Sequence, residues 1–204
     1  MSIDLHDAIR SHDLARLAAR LAAGDNPDAL DPEEPRWSAL HAAIEELEDG
    51  GDLEALALLV RCGASVDTWD GHHDSTPLLM AIFRGQREAA LLLLAAGACP
   101  NVAGAEGDTP LTVCSERGDT RMAATLIRFG AGATINQAGG PTGMSALGHA
   151  ASRLDLDMIE LLVSAGASLD AQDADRRLAR ERLPPRTEKF AAGYDRAFRM
   201  LLGS

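Results

Sequence analysis

Residues 76–97 read TPLLMAIFRGQREAALLLLAAG, and residues 109–130 read TPLTVCSERGDTRMAATLIRFG. Both stretches start with Thr-Pro-Leu, carry one glycine in the middle and end on another glycine. Threonine caps helix N-termini, proline suits the first helical position, and glycine adopts the left-handed conformation that ends a helix. Each stretch therefore predicts two short helices joined by a glycine turn.

The same spacing recurs elsewhere in the chain. The motif leucine and the closing glycine are 19 residues apart in both stretches, and again from Leu5 to Gly24 and from Leu147 to Gly166. A fifth copy runs from Leu40 to Gly63 and contains four additional residues. One full period, Leu78 to Leu111, is 33 residues. A unit of this length cannot bury its apolar face alone, so the pattern predicts units that stack on their neighbours.

With this period and the Thr-Pro-Leu opening, the chain resembles the ankyrin-repeat family over about residues 5–173. The resemblance implies an all-α fold, an ankyrin-repeat solenoid of stacked helix-turn-helix units with short inter-repeat loops. We expect a single ankyrin-repeat domain at 1–204, with repeats near 2–34, 35–70, 71–104, 105–140 and 141–173 and a degenerate capping repeat at 174–204. Within the cap, we predict helix from Arg176 to Arg182 and a last second helix from Gly193 to Leu202.

The composition favours a helical, aliphatic core. Hydrophobic residues make up 46% of the 204 residues and aromatic residues only 3%, which is unsuited to an all-β fold. The longest apolar run, 89–98, is too short to span a bilayer, and the N-terminus lacks the features of a secretory signal. We therefore predict a cytoplasmic protein. Arginine outnumbers lysine 18 to 1, which suggests a bacterial coding genome.

The chain is strongly acidic, with a formal net charge of −12. The charge is uneven, since residues 1–170 carry −15 and residues 171–204 carry +3. Such a field opposes binding to nucleic acid or to an anionic membrane and favours a basic protein partner. The C-terminal arginines lack interleaved aromatic residues, so we interpret them as solvated or as capping the acidic repeats.

No motif for catalysis or cofactor binding is found in the sequence. Lys189 is the one lysine and lies outside any G-K-[ST] motif, and neither G-x-S-x-G nor H-E-x-x-H occurs. The three cysteines form no C-x-x-C pair. We expect no enzyme activity, cofactor, metal or small-molecule substrate. The turn from Trp69 to Asp74, which contains His72 and His73, leaves three alternatives open: a weak metal site, a binding contact or a solvated turn.

Several polar residues have a structural interpretation in the family pattern. His6 and His41 follow the motif leucine, where the resemblance implies a histidine that hydrogen-bonds to an adjacent turn. His149 lies one position further on and is expected to be structural as well. Cys114 occupies a small-residue core position and is expected to be a buried thiol.

The resemblance implies a protein–protein interaction module that binds partners along a concave face of loop tips and first helices. The positions that match this face are Trp37, Glu45, Glu46, Trp69, His72, His73, Phe83, Arg84, Glu106, Asp108, Glu116, Arg117, Met144 and Arg153. Two interpretations stay open for some of them. Trp37 and Trp69 can instead pack under loops, and the acidic run from Glu45 can be a solvated helix face.

Within this class, the partner is expected to be a basic protein. One alternative is a toxin-neutralising or inhibitory, immunity-like protein. Another is a structural scaffold that stacks end to end through its oppositely charged termini.

Overall fold

Side-chain caps fix where the helices begin. Four first helices follow a serine or threonine whose hydroxyl accepts the N–H of the third helical residue; these caps are Ser38, Thr76, Thr109 and Ser145. Four second helices follow an aspartate whose carboxylate accepts an N–H in the first turn; these caps are Asp13, Asp52, Asp119 and Asp155. Because a cap satisfies N–H groups that have no partner within the helix, it stabilises a helix of only two turns.

The computed structural model describes residues 5–33, 35–70, 72 and 74–203. By their contacts, the residues form two compact units, Met1–Cys99 (unit 1) and Pro100–Ser204 (unit 2). The single domain at 1–204 stays a prediction.

Unit 1 contains three helix pairs. Their bounds are α1 (Leu5–Arg10) with α2 (Leu14–Ala22), α3 (Ala39–Glu46) with α4 (Leu53–Arg61), and α5 (Pro77–Phe83) with α6 (Arg87–Ala95). First helices contact first helices of neighbouring pairs, and second helices contact second helices, as in α1 with α3 and α2 with α4.

Unit 2 contains two helix pairs, a hairpin and a last helix. Their bounds are α7 (Pro110–Arg117) with α8 (Thr120–Arg128), the antiparallel strands β1 (Ala138–Gly139) and β2 (Met144–Ser145), α9 (Ala146–Ser152) with α10 (Leu156–Ser164), and α11 (Ala191–Met200). Short 3-10 turns occupy Ala131–Thr134, Ala179–Arg182 and Glu188–Phe190. Helices dominate both units, and the all-α class predicted from the sequence is confirmed.

The core of each unit is aliphatic. Alanines of the first helices, such as Ala39 and Ala81, are fully buried and let the paired helices approach closely. Large residues of the second helices fill the space between pairs and have no exposed surface; examples are Leu17, Leu59 and Leu93 in unit 1, and Leu126, Ile159 and Leu162 in unit 2. Burial of each such side chain contributes about 1.5–3 kcal/mol.

Hydrogen bonds from side chains to the backbone connect successive turns within each unit. We call these contacts turn rungs. In each rung, an Asp or Asn side chain bonds to the backbone about one repeat further on. Three side chains accept a backbone N–H through Oδ1: Asp28 from Ser65 (2.7 Å), Asp67 from Cys99 (2.9 Å) and Asn136 from Ser168 (2.8 Å). The side chain of Asn101 instead donates through Nδ2 to Gly130 O (2.9 Å). Each rung satisfies a backbone group that has no partner in regular secondary structure.

Two histidines make a second set of connections in unit 1. His6 Nε2 lies 3.1 Å from Trp37 O, and His41 Nε2 lies 3.2 Å from Ser75 O. The His41 Nδ1 atom lies 2.7 Å from the Ser38 hydroxyl, so the neutral ring donates through Nε2 and accepts at Nδ1. The predicted structural role of both histidines is confirmed.

His149 is also buried, and its Nε2 lies 3.2 Å from Thr142 Oγ1. Burial is the largest cause of its lowered pKa. The structural interpretation of His149 is therefore confirmed. Cys114 is buried in α7, as its core position predicted.

The turn between α3 and α4 absorbs the four additional residues of the second repeat. Residues 47–49 continue as a tight turn with bonds between residues three apart, and Gly50 takes the left-handed conformation (φ +94°). At Gly51, a Cβ atom would lie 2.7 Å from the carbonyl oxygen of Glu46. Both glycines are thus required: Gly50 because of its left-handed backbone conformation, and Gly51 because its Cα packs closely against the backbone of Glu46.

The C-terminal segment differs in part from the sequence prediction. The helix predicted from Arg176 to Arg182 is wrong for residues 176–178, and residues 179–182 form only a short 3-10 turn. Asp173 accepts the N–H groups of Asp175 and Arg177, and Arg176 has a φ of +60°, so the chain makes a turn that is closed by a bridge between Gln172 and Leu178. The predicted last helix is confirmed as α11, which begins two residues earlier than expected.

The pH dependence of stability should report on His41. Burial lowers the pKa of this histidine to about 4. Between its ordinary value near 6.5 and about 4, the unfolded chain binds a proton that the folded protein does not. The free energy of unfolding should therefore fall as the pH drops through this window, by about 2 kcal/mol at pH 5.

Urea unfolding at pH 7 and pH 5 measures this effect. The His41→Gln variant should be less stable at pH 7 because it loses ring contacts, but it should lose less stability on acidification than the wild type. Equal losses in the two proteins would contradict the assignment.

Candidate protein-binding surfaces

The acidic end of α3 is occupied by ion pairs within unit 1. Arg84 lies between two glutamates, with Nη2 2.5 Å from Glu45 Oε2 and Nη1 3.0 Å from Glu48 Oε2. Glu46 Oε2 lies 2.8 Å from His12 Nε2. Three of the predicted partner-binding residues (Glu45, Glu46 and Arg84) thus contact neighbouring side chains. The Arg84 guanidinium thus neutralises part of the negative charge of Glu45 and Glu48 before any partner arrives.

The predicted aromatic positions differ in exposure. Phe83, the last residue of α5, exposes 41% of its surface. Trp37 and Trp69 are half-buried, so each presents one packed part and one accessible part. An interface anchor needs a large rigid side chain with accessible surface, and all three residues meet this requirement.

The turn that contains His72 is organised by a buried carboxylate. Asp70 Oδ1 accepts the N–H groups of His72 (3.2 Å) and Asp74 (2.8 Å), and Asp70 N donates to Ser75 O (3.2 Å). His72 is exposed, while the predicted His73 lies outside the described residues. In the part of the chain that the structure describes, no group of three or more His, Cys, Asp or Glu side chains is placed to hold a metal ion.

Two further aspartates organise turns in the same way, and sequence reasoning missed both. Asp31 Oδ1 accepts the N–H of Glu33 (3.0 Å), and Asp173 Oδ1 accepts the N–H groups of Asp175 and Arg177. Each is almost fully buried. The available signal was the position of Asp31 and Asp70, seven and six residues before the helix-capping Ser38 and Thr76.

The carboxylate of Asp173 is also paired with Arg182. Burial acts to raise the pKa of Asp173, but the N–H of Arg177 and the Arg182 guanidinium together hold that pKa below its ordinary value. Arg182 Nε lies 2.6 Å from Asp173 Oδ2, and Nη2 lies 2.7 Å from Asp175 Oδ2. This basic residue therefore stabilises the C-terminal turn.

Three carboxylates form an acidic patch in unit 2, which we define as Glu106, Asp108 and Glu116. Within the described residues, none of the three side chains forms a salt bridge with a lysine, arginine or histidine. Burial of Asp108, followed by the charges of Glu106 and Glu116, raises the pKa of its carboxyl. The patch thus brings together three carboxylates that form no salt bridge in the part of the chain that the structure describes.

The hairpin of unit 2 holds one side of this patch in place. The N–H of Gly140 donates to Glu106 O (2.8 Å). A Cβ atom at Gly139 would lie 2.1 Å from the carbonyl oxygen of Gly107, so the two turns pack backbone against backbone. Glycine is required at Gly139 because any side chain there would separate the turns.

The remaining predicted residues lie near the same end of unit 2. Met144 belongs to β2 and is half-buried, whereas Arg117 and Arg153 are exposed at the ends of α7 and α9. The Arg153 guanidinium lies against the backbone at Gly118, where a Cβ would be 3.0 Å from Nη2. Unit 2 thus presents two arginines as well as the acidic patch.

Comparison with known proteins agrees with this architecture. The chain matches the family described as "Ankyrin repeats (3 copies)" over residues 5–104 and 99–173. The match covers most of the sequence, and the chain belongs to the ankyrin-repeat family. Ankyrin-repeat domains generally mediate protein–protein interactions. No curated protein matches the chain significantly in sequence.

Two solved structures illustrate the similarity of fold. The ankyrin repeat domain of Bcl-3, a member of the IkappaB protein family, is 24% identical with a TM-score of 0.79, and the alignment covers 98% of this chain and 81% of that one. An ankyrin repeat domain from Acinetobacter baumannii AYE is 24% identical with a TM-score of 0.81, covering 100% and 98%. At this identity, the comparisons show the fold alone.

In the described residues, no helix combines the length and apolar character needed to cross a membrane.

The acidic patch should cost stability at neutral pH. Because the folded-state pKa of Asp108 is raised, its charged form is disfavoured in the folded protein relative to the unfolded chain. Asp108→Asn should therefore raise the free energy of unfolding at pH 7. The gain should shrink as the pH falls toward 3.8, because the wild-type carboxyl takes up its proton at a higher pH in the folded protein than in the unfolded chain.

Denaturant unfolding at pH 7 and pH 4 measures the difference. Asp170→Asn, which neutralises a highly exposed carboxylate of the same unit, is the matched control and should change stability by at most about 0.5 kcal/mol. A loss of stability in Asp108→Asn at pH 7 would show instead that the charged carboxylate stabilises the folded protein.

Proposed function

We propose that the chain is an interaction module that binds a basic protein partner through the loop tips and first helices of its repeats. Membership of the ankyrin-repeat family supports the general role, and the net charge of −12 supports the basic character of the partner. We propose a cytoplasmic location for this complex.

The acidic patch of unit 2 is the observation that carries the proposal. Its three carboxylates share a surface, and burial together with mutual repulsion raises the pKa of Asp108. Retaining an arrangement that costs stability is typical of positions that serve binding. Lysine or arginine side chains of a partner would neutralise the patch and relieve the repulsion.

The two units offer different contributions to binding. In unit 2, the charge of Glu106 and Glu116 would accelerate association with an oppositely charged partner. In unit 1, the partly exposed ring of Phe83 would act as an apolar anchor that slows dissociation. The ion pair of Glu45 with Arg84 and the hydrogen bond between Glu46 and His12 make these two glutamates weaker candidates for direct attraction than the sequence suggested.

The C-terminal arginines do not favour the alternative of an end-to-end scaffold. Arg182 is paired with Asp173 and Asp175, Arg186 lies 2.8 Å from Asp195, and Arg196 lies 3.1 Å from Glu160. These three arginines are thus engaged in local pairs, which makes them weaker contacts for the acidic end of a second copy. An inhibitory, immunity-like role is compatible with the proposal if the partner uses the same basic surface for its own activity.

Binding kinetics with a partner captured from source cells test the proposal. The variant Glu106→Gln/Asp108→Asn/Glu116→Gln should lower the association rate constant about tenfold at low salt and flatten its salt dependence. The Phe83→Ala variant should mainly raise the dissociation rate constant.

A matched control separates the local patch from net charge. The variant Asp157→Asn/Glu160→Gln/Asp170→Asn removes the same charge from exposed positions in and after α10. Its association rate should stay within about twofold of wild type. Equal effects of the two triple variants, or no effect of either, would overturn the role of the patch.

A further inference from the structure

A groove in unit 1 carries an inference about the chemistry of the partner. The groove has a volume of about 270 Å³, and Pro35, Trp37 and Ala42 form the apolar part of its lining. Glu33 and Glu46 lie along it, together with the paired side chains of Arg10 and Asp31. A volume just below the usual range for small-molecule pockets suits one long side chain.

We propose that this groove binds the side chain of an arginine from the partner protein. This inference rests on the proposed function, since it names the chemical group by which a basic partner would be recognised. The guanidinium would stack on the indole of Trp37, and the carboxylates along the groove would hold its charge.

The position of Trp37 is fixed by its backbone. Its carbonyl oxygen accepts hydrogen bonds from Asp31 N (2.8 Å) and from His6 Nε2 (3.1 Å). A bridge between Leu30 and Ser38 closes the same turn. These contacts fix the backbone that carries Trp37 before any ligand binds, which lowers the ordering cost of binding an arginine there.

The charges around the groove favour a cation. Arg10 is paired with two carboxylates, Asp31 and Asp7, which together outweigh its positive charge. Glu33 is exposed, and its side chain forms no salt bridge within the described residues. Glu46 contacts His12 through Oε2. The groove therefore has an excess of carboxylates and is unsuited to an acidic or purely apolar group.

Arginine fits this groove better than lysine does. The planar guanidinium stacks on an aromatic face and leaves its N–H groups directed at carboxylates in the same plane. It is also less strongly hydrated than an ammonium group, so its transfer into a half-buried groove costs less. Trp37 lines the groove and keeps part of its surface accessible, and Glu33 beside it is exposed.

An NMR titration with N-acetyl-arginine amide tests the inference on the full chain. Trp37 and Trp69 are the two tryptophans, so their indole N–H signals can be assigned with Trp37→Phe and Trp69→Phe variants. The Trp37 signal should shift saturably, with a dissociation constant on the order of millimolar, and the Trp69 signal should shift much less. N-acetyl-citrulline amide, which has the same shape without the charge, should shift Trp37 at least about fivefold less at equal concentration.

The Glu33→Gln variant examines the contribution of the carboxylates. It should weaken arginine binding about threefold to tenfold, whereas Glu88→Gln, an exposed change in α6, should leave it unchanged. Equal shifts with citrulline, equal shifts of both tryptophans, or unaltered binding in Glu33→Gln would overturn the inference. Because the probe is a free amino-acid derivative, such a failure leaves the kinetic test of the acidic patch in unit 2 unaffected.

Discussion

Turns between repeats contain backbone groups that their own repeat cannot satisfy, and this constraint governs both units. In unit 1, the carboxylate of Asp67 accepts the N–H of Cys99, and the ring of His41 reaches the carbonyl of Ser75. Each of these contacts joins residues more than thirty positions apart in the sequence. The helices are too short to be stable alone, so packing and these side-chain bonds together determine the fold.

Side-chain hydrogen bonds within the turns also position the surfaces that are proposed for binding. The buried carboxylates of Asp31 and Asp70 accept backbone N–H groups of their own turns and so fix the turn conformation. The exposed side chains of these turns are not needed for that role and are available for other contacts. Trp37 follows the turn that Asp31 organises, and it lines a groove with an excess of carboxylates. In unit 2, the hairpin fixes the turn that carries Glu106. Rigid turns with variable outer residues are a common basis for recognition.

The sequence was sufficient to predict features that repeat. The spacing from Leu78 to Gly97 and the Thr-Pro opening identified the helix pairs, and the position of His41 identified its bond to the next turn. The partners of single charged residues were not predictable in this way. Arg84 contacts Glu45 and Glu48, which lie 39 and 36 positions earlier, and no periodic signal marks such a pair.

The local sequence pattern also gave a wrong prediction where one buried side chain determines the backbone conformation. The arginine-rich stretch after Asp173 has the composition of a helix, yet the buried carboxylate of Asp173 captures the N–H groups of Asp175 and Arg177 and forms a turn. A preference for helix in short arginine-rich segments is weak, and a buried side-chain bond outweighs it. The sequence did predict Glu106, Asp108 and Glu116 as face positions, but it could not show that Asp108 is partly buried and that the charges of the other two raise its pKa.

Hydrogen exchange in unit 1 tests most directly whether the turn rungs hold the repeats together. The N–H of Cys99 binds Asp67 Oδ1, and the N–H of Ser65 binds Asp28 Oδ1. In Asp67→Ala, we expect exchange at Cys99 to accelerate about tenfold or more, because the N–H loses its acceptor, while Ser65 keeps most of its protection. Unchanged protection of Cys99 in this variant would mean that the rungs do not hold the turns.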